Sequence, residues 1–294
     1  IAGCDAIWAA DPRARILQCD PIIHLVPPEI EVEGFDGSVE GWRQAQYAGW
    51  DMLCGRLAPE LGGSPRYLDL IGANYYHSNQ WEGGTEARLW WHLGDPRRKP
   101  LHLMLKELYQ RYGRPILLAE TSHVGSGRGT WVNDITNEVA QALLAGVDVR
   151  GVCLYPIIDR PDWDNVTHWH RSGLWDLDYL GPDPYARVLV PHYAAALRRA
   201  QGMLHRLHSK LCFNNSPMGQ ESSMSTIIVF CHLRWDFVYQ RPQQLLSRLA
   251  QFHKILFIEE PVYDEGKPYL ESSTPAANIT VYRPHTPVHA PGFH

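Results

Sequence analysis

The stretch RPILLAETSHVG, Arg114 to Gly125, decides how the rest of the chain is read. Its apolar run, Ile116 to Ala119, is too short for a helix and suits a buried strand. The run ends in Glu120, and a carboxylate is costly to bury, so this side chain should emerge where the strand ends. A helix is predicted before it, Leu101 to Arg111, closed by Gly113. Another is predicted after it, Trp131 to Ala145, with Ile135, Val139, Ala142 and Leu143 on one face and Gly146 at its end.

The same strand-then-helix unit repeats on either side. Upstream, the strand Ala14 to Cys19 leads into a helix within Val39 to Leu61, and a second strand spans Leu68 to Asn74. Downstream, Gly151 to Pro156 forms a strand, a polar and aromatic loop follows through Trp175, and a helix spans Pro191 to Leu207. Strands without polar alternation, separated by helices, predict an α/β fold with a parallel sheet. Each strand ends in polar or aromatic residues: Asp20 and His24, then Asn74, Tyr75 and Tyr76, then Glu120, then Tyr155 and Asp159. Functional groups in such folds gather at the carboxyl ends of the strands, so these four clusters are expected to share one rim.

Composition narrows the chemistry. The 294 residues are 45% hydrophobic and 20% charged, as in an ordinary globular protein, and the net charge is -5. Lys and Arg are dispersed, which argues against a nucleic-acid partner, and no apolar run approaches the roughly 20 residues of a membrane span. Six scattered cysteines without a CxxC pair are read as reduced thiols in a cytoplasmic protein. The chain starts at Ile1 and not at Met, from which a truncated start is expected. Eleven Trp and fourteen Tyr are many for this length and concentrate near strand ends. Such rings suit the C–H faces and hydroxyls of sugars, although a Trp-rich core would use them too.

A strand-terminal Glu is often only a salt-bridge partner, but Glu120 has suggestive neighbours. A Tyr hydroxyl from DLIGANYYHSNQW, Asp69 to Trp81, could donate to its carboxylate and orient it, and the residue types leave Tyr75 and Tyr76 equally open. Retaining glycosidases use two carboxyl groups about 5–5.5 Å apart, one as nucleophile and one as acid/base.

On these motifs the chain resembles the β-glucosidase-related (β/α)8-barrel glycoside hydrolases. DLIGANYY, PILLAETS, and GVCLYPIIDRPDWDN followed by SGLWDLD resemble the sixth, seventh and eighth barrel strands, and DPRARILQCDPI resembles the fifth. The resemblance spans about residues 1–207 and implies a partial TIM (β/α)8 barrel, strands five to eight. It implies Glu120 as catalytic nucleophile, Tyr75 or Tyr76 as its hydrogen-bond partner and Trp163 near the bound sugar. Asn74, Tyr155, Asp20, His24 and Trp81 complete the expected substrate-binding set. Two departures stand out. AETS replaces the family's usual TENG, which leaves a β-galactosidase-like relative open, and the family's acid/base Glu on the fourth strand is expected upstream of residue 1. Glu82 is the second-choice acid, while Glu29, Glu31 and Glu33 read as a solvated loop. His168 and His170 read as polar rim residues, and neither a metal nor a cofactor is expected.

Residues 208–224, HSKLCFNNSPMGQESSM, read as a linker. Beyond it, the strand Thr226 to Cys231, a helix Arg241 to Gln251 and the strand Lys254 to Ile258 predict an incomplete Rossmann-like βαβ segment over residues 225–294. HLRWDFVYQRPQ and FIEEP resemble the N-terminal start of nucleotide-sugar-dependent glycosyltransferases. Met224 would then be a native start, and the chain a fusion of two neighbouring reading frames. The leading expectation is a retaining glycoside hydrolase acting on a carbohydrate, with its oligomeric state open. The alternatives are a nucleotide-sugar glycosyltransferase carrying the barrel piece as an accessory module, and a non-catalytic sugar-binding half-barrel.

Overall fold

The computed structural model describes residues 1–36, 38–178, 180–215, 226–231, 233–236, 241–251 and 253–288. Contacts divide the chain into two compact units: residues 16–217 with Ile1, and residues 218–294 together with Ala2–Arg15. The helix α1 (Ala2–Ala10) is thus grouped with the second unit, although sequence alone placed residues 1–207 together.

The first unit is built on a four-stranded parallel sheet of β1 (Leu17–Pro21), β3 (Leu70–Asn74), β5 (Ile116–Thr121) and β6 (Val149–Leu154), in that spatial order. Two short strands, β2 (His24–Val26) and β4 (Gln80–Glu82), pair in parallel beyond the ends of β1 and β3. Between them run the short helices α2 (Glu40–Ala45) and α3 (Ala48–Leu53). The predicted helix before β5 is α4 (Leu101–Tyr112), which buries Leu101, Met104, Leu105 and Leu108 at helical spacing. Gly113 ends it in the left-handed region at φ 60°, donating its N–H to the Tyr109 carbonyl.

After β5, α5 (Arg128–Leu144) buries Trp131, Ile135 and Val139. These side chains join Ile71, Ala73, Ile116, Leu118 and Val149 in one core on the helix side of the sheet. The opposite face carries small or exposed residues, including Leu17, Cys19, Gly72 and Cys153. Cys19 and Cys153 are free thiols on that face. A small antiparallel pair, β7 (Trp175–Leu177) and β8 (Arg187–Leu189), follows the aromatic loop. The buried Arg128 anchors it through two bonds to Asp176, at 2.7 and 3.1 Å. The helix α6 (Pro191–Asn215) packs Tyr193 and Ala196 against Val132 of α5, and it continues eight residues into the expected linker. Met224 and the rest of that linker lie outside the described residues.

The second unit contains a parallel sheet in which β9 (Thr226–Cys231) pairs in register with β10 (Lys254–Glu259). The connection carries α7 (Arg241–Leu249), giving the predicted βαβ crossover. Beyond β10 lie β11 (Val262–Tyr263), β12 (Tyr269–Ala276) and β13 (Ile279–Thr286), in the spatial order β11–β13–β10–β9 with β12 antiparallel to β13. Trp235, Leu246, Ile255, Phe257, Ile279 and Val281 form its core. The chain therefore has an α/β fold with parallel sheets. No described helix is long and apolar enough to cross a membrane.

Candidate active site

Glu120 sits at a break in the strand ladder. Leu118 of β5 pairs with Ala73 of β3, but the next pair is Glu120 with Asn74, so Ala119 is an extra residue. Such a bulge redirects the side chains that follow it. Pairing resumes at once, with the Tyr75 N–H donating to the Glu120 carbonyl at 2.9 Å. Glu120 is left half-buried at the carboxyl end of the sheet.

The hydroxyl of Tyr76 donates a hydrogen bond to Glu120 Oε2 at 2.8 Å. Burial, reinforced by the Glu120 carboxylate, pushes the Tyr76 phenol well above its ordinary pKa, so it remains a protonated donor. Tyr75, left open as the partner by sequence, is excluded from that role. It is 3% exposed, stacks on Trp131 at 5.9 Å, and its hydroxyl accepts from Gln80 at 2.7 Å and Arg98 at 3.0 Å. The reason is elementary: successive residues along an extended chain point to opposite faces, so only one of two adjacent tyrosines can reach the rim.

Tyr155 continues the site from β6, its N–H bonded to the Thr121 carbonyl at 3.2 Å, and it is close enough to influence the Tyr76 phenol. Arg160, which sequence analysis overlooked, lies over the Tyr155 ring at 5.7 Å and the Trp163 ring at 5.0 Å. Its Nε is buried without a hydrogen-bond partner among the described residues. The available signal was an Arg between two aromatics, Tyr155 and Trp163, in YPIIDRPDWDN. Trp163 itself is 78% exposed, a flat apolar surface open to solvent. Asn74 is at the β3 end with its side-chain oxygen buried and unpartnered, also among the described residues.

Asp20 is half-buried at the end of β1, packed so closely on Gly49 that a Cβ there would lie 2.7 Å from its Oδ2. Burial raises its pKa. The Cys19 thiol is raised first by burial and then by the Glu120 and Asp20 carboxylates, so β1 faces the same electrostatic environment as Glu120. His24 and Trp81 are placed differently. His24 lines a cavity between β2, α2 and α4, and the Trp81 ring on β4 lies under Arg88 at 5.5 Å. Glu82 is unsuited to be an acid: bonds from Arg97 at 2.5 Å and Thr85 at 2.9 Å hold its pKa below the usual range. Glu29, Glu31 and Glu33 are exposed, with Glu29 3.2 Å from Arg97. The rings of His168 and His170 meet at 5.1 Å, and His170 bonds Asp162 at 2.8 Å.

A second feature escaped sequence analysis. His77 and His123, which closely follow Tyr76 and Glu120, meet with ring centroids 4.3 Å apart. Trp91 and Trp131 pack on His123 at 5.2 and 5.8 Å. Burial, then His123, lowers the His77 pKa to about 4. The two quoted motifs each contained one of these histidines, but only folding brings them together.

No family model matches the chain. No curated protein matches it either. Among solved structures it is similar to the β-glycosidase of Thermosphaera aggregans, at 19% identity and TM-score 0.49, over 69% of this chain and 47% of that one. It is also similar to a β-glucosidase of Pyrococcus furiosus, at 19% identity and TM-score 0.46, over 67% of this chain and 44% of the other. The β-glucosidase of Thermotoga maritima in complex with glucoimidazole gives 15% identity and TM-score 0.46, over 64% and 51%. The chain spans about half the length of these proteins or less. The geometry around Glu120 stands independently of this likeness.

Proposed function

We propose that the first unit is the strand-five-to-eight portion of a (β/α)8-barrel retaining glycoside hydrolase, with Glu120 as its nucleophile. One observation carries the proposal: the Tyr76 hydroxyl donates to a half-buried Glu120 at a bulge, at the carboxyl end of a parallel sheet. In a double displacement the carboxylate attacks the anomeric carbon, the leaving oxygen takes a proton from a second carboxyl group, and water then releases the sugar. Tyr76 orients Glu120 and accommodates its change from anion to ester. Tyr155, Arg160 and Trp163 offer the aromatic and cationic surface on which a sugar would rest. The family resemblance assigns the acid/base group to the fourth barrel strand, ahead of β1.

The test uses a dinitrophenyl β-glycoside, whose leaving group needs no proton. Hydrolysis by the chain that is lost in Glu120→Gln, with sugar binding retained, supports the assignment. Turnover at the wild-type level in Glu120→Gln removes Glu120 from the mechanism, and saturable sugar binding without any turnover favours a non-catalytic sugar-binding half-barrel.

For the second unit we propose the opening βαβ of a nucleotide-sugar-dependent glycosyltransferase domain. Its support is the in-register β9–β10 pairing across α7, with Glu259 of FIEEP at the strand end. We further propose that the segments before and after the 208–224 linker derive from neighbouring reading frames. A stop codon in the gene between Met203 and Met224 would support this, and a continuous frame in independent isolates would refute it.

A further inference from the structure

A cavity of about 250 Å³ lies in the first unit, outside the Glu120 site, between the β1–β2 turn, α2 and α4. Three permanent cations line it, Arg43, Lys99 and Arg111, against the single carboxylate of Glu107. Arg111 is already committed: it bonds Asp51 and lies over the Tyr47 ring at 4.5 Å, forming a wall of the cavity. Lys99 Nζ shares its charge with Glu107, which is half exposed. Among the described residues Arg43 pairs with Glu40, one turn away at 3.3 Å on the surface, a contact of little strength in water. Its planar fork keeps donors to spare, and such forks match oxyanions well.

His24 reports the local field. Its pKa is lowered by burial first and then by Arg43 and Lys99, with a hydrogen bond to the Arg97 backbone and then Glu107 opposing. The imidazole lines the cavity beside the two cations as a polar wall. Gln46 is fixed by bonds from the Ile23 N–H at 2.9 Å and to the Arg43 carbonyl at 2.6 Å, so the wall carrying Arg43 is rigidly placed.

We propose that this cavity binds a small oxyanion, a phosphate or carboxylate group, through Arg43 and Lys99 with His24 as the adjoining polar wall. The bound anion displaces Glu107 and Glu40 as partners of the two cations.

The proposal is tested on the full chain by titrating inorganic phosphate and, separately, acetate, while following the His24 ring signals by NMR, assigned with His24→Gln. Binding in the millimolar range is expected for at least one anion, with the His24 pKa rising as the anion offsets the two cations. Arg43→Gln should weaken binding about tenfold, and adding Lys99→Met should remove it, whereas Arg150→Gln, at an exposed site elsewhere, should leave it unchanged. A response to phosphate alone or to acetate alone identifies the group preferred. No saturable change up to about 50 mM of either anion, or equal binding by the Arg43→Gln/Lys99→Met variant with its fold intact by circular dichroism, would overturn the proposal. None of these outcomes bears on Glu120.

Discussion

Two glutamates in this molecule end parallel strands in similar sequence, Glu120 after ILLA and Glu259 after ILFI, yet their surroundings differ. Glu259 is fully buried. It accepts from Arg283 Nε at 2.6 Å, Arg234 Nη1 at 3.2 Å and the Trp235 N–H at 2.7 Å. Burial pushes its pKa up, but these partners together outweigh burial and hold it below the usual carboxylate range. Glu120 is half-buried, accepts from a neutral phenol, and forms no ion pair among the described residues. A carboxylate answered by two guanidinium groups is tied into an ion network, whereas one met by a single hydroxyl retains lone pairs without partners among the described residues. Strand and terminal acid do not distinguish these cases; the partners do.

The largest effect separating the two should come from Glu259→Gln. Removing one member of a buried ion network leaves charges uncompensated, so the second unit should lose about 3–5 kcal/mol, measured by urea unfolding with local hydrogen exchange. A loss below about 1 kcal/mol would place Glu259 in the same class as Glu120.

Next in size is a pH effect beside Glu120. The folded pKa of His77 is depressed to about 4, below the unfolded value of about 6.5. Its contribution is fully present above about pH 6.5 and is lost as pH falls toward 4. After allowance for partial exposure this amounts to about 1–2 kcal/mol in the first unit, and His77→Gln should flatten that part of the stability profile. Smaller still is Tyr76→Phe, which removes a single hydrogen bond and should cost about 1 kcal/mol. The smallest is Glu120→Gln, expected to change stability by less than about 0.5–1 kcal/mol, because an amide can still accept from Tyr76.

The elements that frame Glu120 were legible because each obeys a local rule. Leu101, Met104, Leu105 and Leu108 repeat at helical spacing and end at Gly113, so α4 was placed within a residue of its observed bounds. β9 likewise spans Thr226–Cys231 as its apolar run predicts. What escaped prediction depends on distant partners. The hairpin β12–β13 has one strand exposed along its whole length, so no apolar alternation marks it. A turn at Asn278, φ 62°, connects it. The grouping of Ala2–Arg15 with the second unit is invisible locally, because it rests on contacts with residues more than 200 positions away. Within the site, Glu120, Asn74 and Tyr155 were legible as strand ends, while Tyr75 against Tyr76 required knowing which face is the helix side. His77 and His123 were hidden because each meets a ring contributed by another segment, whereas the signal for Arg160 was local, in the rings of its own loop.

The most direct test of the claim that Glu120 is a nucleophile is covalent trapping with a dinitrophenyl 2-deoxy-2-fluoro-β-glycoside. This reagent needs no acid catalyst to react, and its fluorine slows release of the glycosyl-enzyme. A single added sugar is expected, mapped by peptide mass spectrometry to Glu120, absent from Glu120→Gln and slowed in Tyr76→Phe. Label on any other residue, or a wild-type chain that binds the sugar and stays unmodified, would contradict it.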